Sequence, residues 1–199
     1  MIEAAVRADE ALNHLKSCVQ HADRSHRVYL FVHAAFNSVV SSTGLLVEGY
    51  PLASGHLMRH FGEATAMAMF CADPQSRVLE EFDQRPSEYR VDKSVDRVRR
   101  SGVSKRLRSL LGLDQDRWRE FADITEFYDD FSHATAFSLA FHVTLSQPEL
   151  LIVGAHFDDA KQAEIVTELK RRRSALDTLY SLIQELGNVL PRRMAQSAP

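Results

Sequence analysis

Cysteine is scarce in this sequence. Cys18 and Cys71 are the only two among 199 residues, and they form neither a disulfide framework nor a C-x-x-C pair. That usage suits a reducing compartment, and a cytoplasmic location is expected. Charge of one sign is lacking as well. Lys and Arg number 24 against 27 Asp and Glu, a net charge of −3, so nothing pulls the whole chain toward nucleic acid or an anionic membrane. There is no internal repeat and no low-complexity run. The opening MIEAAVRADE is acidic and amphipathic, unlike a signal peptide. The H-E-x-x-H pattern of metalloproteases, the E-x-x-H pattern of di-iron bundles and the G-x-S-x-G nucleophile elbow are all missing. No cofactor is expected.

What is present is an ordinary globular composition, 45% hydrophobic and 26% charged. A chain of this length buries ~70% of its unfolded surface and needs no covalent staple. One helical-bundle domain over 1–190 is expected, followed by a frayed tail over 191–199. The fold class is mainly all-α, a bundle of six to seven helices.

Apolar spacing places the helices. Ala5, Ala8, Leu12, Leu15 and Val19 recur three and four apart and mark a first helix over 2–22. The second, over 27–48, is apolar almost all round and ends at Gly49-Tyr50-Pro51, where Gly suits a helix C-terminus and Pro can open the next helix. The third covers 52–72. Short helices follow over 76–82 and 94–111, the latter either one piece or two joined near Ser101-Gly102. Asp114 can cap a long helix through 132. Residues 134–157 read either as one small β-hairpin near 139–155 or as a continued helix and a loop. Asp158 or Asp159 caps the last helix, over 160–190, on the stripe Val166, Leu169, Leu176, Leu179, Ile183, Leu186 and Leu190, with Pro191 as its stop.

Residues 28–47 carry no formal charge over a length that could span a bilayer. His33, Asn37, Ser38, Ser41, Ser42 and Thr43 interrupt the stretch, and lipid offers such groups no partners. A buried central helix and no membrane partner are expected.

Four polar groups are candidates for function. The third helix has almost no solvated face, and its only charges, Arg59 and Glu63, stand four apart. They form either a polar pocket for an anion or for acid–base chemistry, or a buried ion pair that sets helix register. His56, His60 and Glu63 share one side and could clamp a metal, although two ordinary histidines is the plainer reading. Tyr128, Asp129, Ser132 and His133 close the long helix. Asp129 could orient the His133 imidazole, or His133 could simply answer the helix dipole. Residues 90–108 carry eight basic side chains against Asp92 and Asp96, a local +6 that leaves −9 on the rest. Arg97, Arg99, Arg100, Lys105, Arg106 and Arg108 could hold phosphates, yet no aromatic is interleaved for base stacking, and a solvated face serves as well. Residues 170–173 add a second basic cluster.

Gly49-Tyr50-x-x-Ala53, Leu57-x-Arg59-x-x-x-Glu63, the later Tyr128, Ser132 and His133, and Gly154-x-x-Phe157-Asp158 together resemble a group of bacterial helical proteins of unknown function over residues 27–190. The resemblance implies a helical bundle in which the Arg/Glu helix pairs with the Tyr/Ser/His helix. In shape the group is loosely similar to the HEPN superfamily, whose ribonuclease toxins carry R-x(4–6)-H. Arg27 and His33 meet that spacing, but Val28 stands where a polar residue usually follows the Arg, so they are not carried over as catalytic.

Three functional expectations follow, in this order. The first is a bundle acting through a homo-oligomer or a protein partner. The second is a ribonuclease using the basic stretch and a histidine. The third is a ligand- or metal-binding bundle whose site lies where Arg59 and Glu63 meet Tyr128, Ser132 and His133.

Overall fold

The computed structural model describes residues 1–19, 24–73, 76–78, 84, 109, 115–129, 131, 142–143 and 154–194. Among them are five α-helices and no strand: α1 (Ile2–Ser17), α2 (Arg24–Val47), α3 (Pro51–Ala72), α4 (Gln115–Asp129) and α5 (Gln162–Met194), the last preceded by a 3-10 turn at Asp159–Lys161. The protein is an all-α helical bundle. The expected helices over 76–82 and 94–111 and the hairpin near 139–155 lie, apart from residues 76–78, 109, 142–143 and 154–155, outside the described residues.

Helices α2 and α3 form a hairpin joined by a tight turn. Gly49 has φ +87°, the left-handed conformation that favours glycine. There the amide of Tyr50 donates to Leu45 O at 2.8 Å and that of Gly49 to Leu46 O at 3.2 Å, the paired closure of a Schellman motif. Pro51 then opens α3, where its missing N–H costs nothing. The same turn anchors the approach to α5: His156 N donates to Gly49 O at 2.9 Å. Two residues on, the Asp158 side chain accepts from Ala160 N at 3.0 Å and caps the 3-10 turn.

The core sits where α5 crosses α1, α2 and α4 while α3 packs between α2 and α4. Helix α1 contributes Ala4, Ala8, Ala11, Leu12 and Leu15. Its small residues let α5 approach, and α5 buries Leu176, Leu179, Ile183 and Leu186. The second half of α3, Ala64 to Ala72, is buried without a break, as its lack of a solvated face implies.

Three expectations change. Helix α2 is not enclosed by the bundle. It buries Val28, Val32, Ala35, Val39, Ser42 and Leu46, while Leu30, Val40 and Val47 on the other side are 44–58% exposed. Its neighbours α3, α5 and α1 cover one side only. Nor does Pro191 stop α5, which continues to Met194. A proline in the last turn forfeits a single backbone bond, and the helix bears that loss at its end. On the same helix Val166, expected in the core stripe, is 46% exposed.

Helices α3 and α4 meet through missing side chains. A Cβ on Gly55 would lie 1.9 Å from Phe131 Cδ1, and one on Gly62 would lie 2.7 Å from Thr125 Cγ2. At Gly187, on α5, a Cβ would meet nothing within 4 Å. Alanine gains the same helix propensity at all three, so the sign of each change is set by packing. Gly187→Ala is expected to stabilise by about 0.5–1 kcal/mol, and Gly55→Ala to destabilise by about 1–3 kcal/mol through overpacking. Urea unfolding midpoints at unchanged m-value measure both; equal shifts would refute the close α3–α4 approach.

Candidate functional site

The polar centre of the bundle is built on Arg172. It stands on the buried side of α5, one turn before Leu176, and has no solvent exposure. Its guanidinium reaches three other helices. Nε donates to Ser42 Oγ on α2 at 3.0 Å. Nη2 donates to Ser54 Oγ on α3 at 2.5 Å. Nη1 donates to Glu168 Oε2 at 2.8 Å, to Glu168 O at 3.0 Å and to Tyr128 Oη on α4 at 3.2 Å.

The acceptors are themselves tied together. Ser42 Oγ donates to Ser54 O at 2.9 Å, and Ser54 Oγ donates to Ser42 O at 2.7 Å. Each serine thus gives its proton to the other's carbonyl and turns a lone pair to the arginine, as a hydroxyl's one donor and two acceptor sites allow. Tyr128 Oη donates to Glu168 Oε2 at 2.8 Å. The other carboxylate oxygen, Oε1, accepts from Arg171 Nη1 at 2.5 Å. Arg171 lies with its guanidinium carbon 3.7 Å from the centroid of the Phe127 ring, a cation–π contact. It also lines an open groove of about 790 Å³ between α4 and α5, with Asp123, Ile124, Phe127 and Ser174.

Burial pushes the Tyr128 hydroxyl far above its ordinary value near 10.0, helped by the charge and hydrogen bond of Glu168 and opposed by Arg172 and Arg171. It remains a neutral donor. Ser42, Ser54 and Tyr128 are fully shielded from water, and Glu168 is 7% exposed. The group is almost wholly withdrawn from water, and its charges are mutually answered. The arrangement can hold four helices in register; it offers no open position for a substrate.

Of the described residues singled out in sequence, Tyr128 belongs to this group and Arg59, Glu63, His56 and His60 do not. Arg59 Nε bonds Glu63 Oε1 at 3.0 Å, with both side chains about one-fifth exposed (20% and 21%). They close on each other, while the charges acting on Tyr128 are Arg172, Glu168 and Arg171 from α5. His60 Nδ1 lies 2.8 Å from Ser38 Oγ on α2, and His56 is exposed. Among the described residues no three of His, Cys, Asp and Glu are grouped to hold a metal, so His56, His60 and Glu63 do not make a ligand set. Ser132, His133 and the basic Arg97, Arg99, Arg100, Lys105, Arg106 and Arg108 lie outside the described residues. Arg27 is half-buried, and His33 is exposed, 3.1 Å from the Asn37 amide nitrogen.

Arg172 and Glu168 were legible in one signal. The buried stripe 190, 186, 183, 179, 176, read backwards in steps of three and four, arrives at 172 and 168. The run Lys170 to Arg173 instead reads as a solvated basic cluster.

No family model, no curated protein and no solved structure matches the chain.

Two outcomes are expected. Arg172→Met leaves a buried carboxylate short of a partner and should destabilise by about 3 kcal/mol, the low end for a broken buried pair because Arg171 still answers Oε1. Combining it with Glu168→Leu and Tyr128→Phe should restore much of the loss. Denaturant unfolding of the single and triple variants decides this, and a triple variant weaker than the single one would refute it. The second concerns pH. Unfolded tyrosine loses its proton near 10 while folded Tyr128 keeps it, so above pH 10 the folded state binds more protons. Stability should then fall by about 1.4 kcal/mol per pH unit from this group, and be unaffected by it below. In a spectrophotometric titration, one of the five tyrosines should ionise only as the protein unfolds, and Tyr128→Phe should abolish that late step.

Proposed function

We propose that this protein works by associating with protein, a second copy of itself or a partner, and not by chemistry inside its bundle. One observation carries the reading: the polar side chains gathered at the centre are spent on one another and shut off from water. A binding or active site presents a few unsatisfied polar groups to an accessible concavity; this cluster presents none.

The surface supports the same reading. Leu30, Val40, Val47, Tyr50 and Phe157 are all 40–58% exposed. Phe157 Cε2 stands 3.2 Å from where a Gly49 Cβ would be, so Val47, Tyr50 and Phe157 gather around the α2–α3 turn. An apolar cluster continuous with an uncharged helix face is the kind of surface that associating proteins cover.

Sedimentation velocity of the full chain over roughly 1–100 µM, the range where weak specific contacts form, provides the test. A mass above the 22.5 kDa monomer is expected. A 22.5 kDa particle at every concentration, together with no protein cross-linked to it in its own cell, would sink the reading.

A further inference from the structure

Helix α2 carries two stripes of opposite fate. The inward one is Val28, Val32, Ala35, Val39, Ser42 and Leu46, all buried. The outward one is Leu30, His33, Asn37, Val40, Gly44 and Val47, all exposed. Both advance in alternating steps of three and four, the spacing of a helix-to-helix seam. The outward stripe has no charge, although solvated helix faces ordinarily carry many.

Resting on the association reading above, we infer that this outward stripe is a homodimer seam, in which α2 of one copy lies antiparallel to α2 of a second copy about a two-fold axis between Asn37 and Val40. The pattern suits a second copy. An axis there pairs position 30 with 47, 33 with 44 and 37 with 40, so each outward residue meets another of the same stripe, as a two-fold interface requires. The pairs are complementary in size. Leu30 meets Val47, apolar on apolar. The bulky His33 ring meets Gly44, where a Cβ would find nothing within 4 Å in its own chain. Asn37, beside the axis, is a polar residue of the kind that fixes register in helical seams. His33 and Asn37 are 3.1 Å apart within one helix, which meets part of their hydrogen-bonding need before the seam closes.

Direction follows from charge. Basic Arg27 lies at the start of α2, whose last turn holds no basic residue and is followed by exposed Glu48. Antiparallel pairing brings Arg27 of one copy near Glu48 of the other and opposes the helix dipoles; parallel pairing would set like beside like. From Leu30 to Val47 the seam is about 26 Å long, and the Val47, Tyr50 and Phe157 cluster extends it at both ends. Such a strip falls short of the ~800 Å² per partner of a standard interface, so a dimer that dissociates in the micromolar range is expected.

A helix this long and apolar also meets the length and composition of a membrane span, so the test includes lipid. Sedimentation velocity of the full chain over roughly 1–100 µM should show a monomer–dimer equilibrium. Val40→Glu should weaken it at least tenfold with unchanged circular dichroism, whereas Ile2→Glu, the same added charge on an 83% exposed residue of α1, should not. In a Cys18→Ser background, mixed Leu30→Cys and Val47→Cys chains should oxidise to a dimer containing one of each. Self-bridging of either variant alone would overturn the antiparallel seam. A dimer indifferent to Val40→Glu would overturn the α2 face while leaving the association reading intact. A wild-type chain that stays monomeric would overturn the seam, and would leave association to a different partner protein. Flotation with phosphatidylcholine vesicles in place of dimerisation, lost in Val40→Glu, would overturn both readings.

Discussion

A guanidinium keeps its charge when it leaves water, so each of its nitrogens must find an acceptor inside the protein. Arg172 meets this demand by drawing on α2, α3 and α4 as well as its own helix. None of the four helices can slide by a residue without withdrawing an acceptor. Ser42 and Ser54 show how far the constraint reaches. They sit on either side of the hairpin turn, and each can turn a lone pair to Arg172 because the other's carbonyl takes its proton. Tyr128 answers the remaining need from α4, giving its proton to the carboxylate that balances the charge. Apolar packing alone would hold these helices together with less definition of their register; the buried charge supplies that definition, as polar core residues do in helical seams.

The same geometry explains the surface. Turning Ser42 toward Arg172 commits one side of α2 to the core, and helical periodicity then sends Leu30, Val40 and Val47 to the opposite side. The helix therefore has two uncharged faces and one set of neighbours. Inside, polarity is concentrated and answered; along the outward stripe of α2, formal charge is absent. The ionisable groups at the centre serve internal register, and an apolar strip along α2 is left uncovered.

Much of the scaffold was readable from local chemistry. Gly49 and Pro51 marked the α2–α3 turn to the residue, because a left-handed cap and an amide-free first helical position are local requirements. The unbroken burial of 64–72 was readable because that stretch offers nothing for water to solvate. The polar centre was less legible. Tyr128 stood out as a polar residue on an apolar stripe, yet its partners Glu168 and Arg172 sit in a charge-rich run where only the phase of the apolar stripe of α5 separates Arg172 from Lys170 or Arg173. The pairing of Arg59 with Glu63 was visible in their spacing. That Tyr128 would turn instead to α5 was not, since two helices with polar residues facing inward need not face each other.

By itself the sequence determined the fold class, the course of the described helices to within a few residues, and the turn that joins α2 to α3. These follow from spacing, capping and backbone permissions that act over a few residues. Tertiary structure alone decided which of four adjacent basic side chains entered the core, which side of an all-apolar helix stayed outside, and that Ser42, Ser54, Tyr128, Glu168 and Arg172 meet. Each of those outcomes depends on the rotation and offset of one helix against another. Those quantities are set by long-range packing and by the need to satisfy a buried charge, and residues 42, 54, 128 and 172 carry no local sign of them.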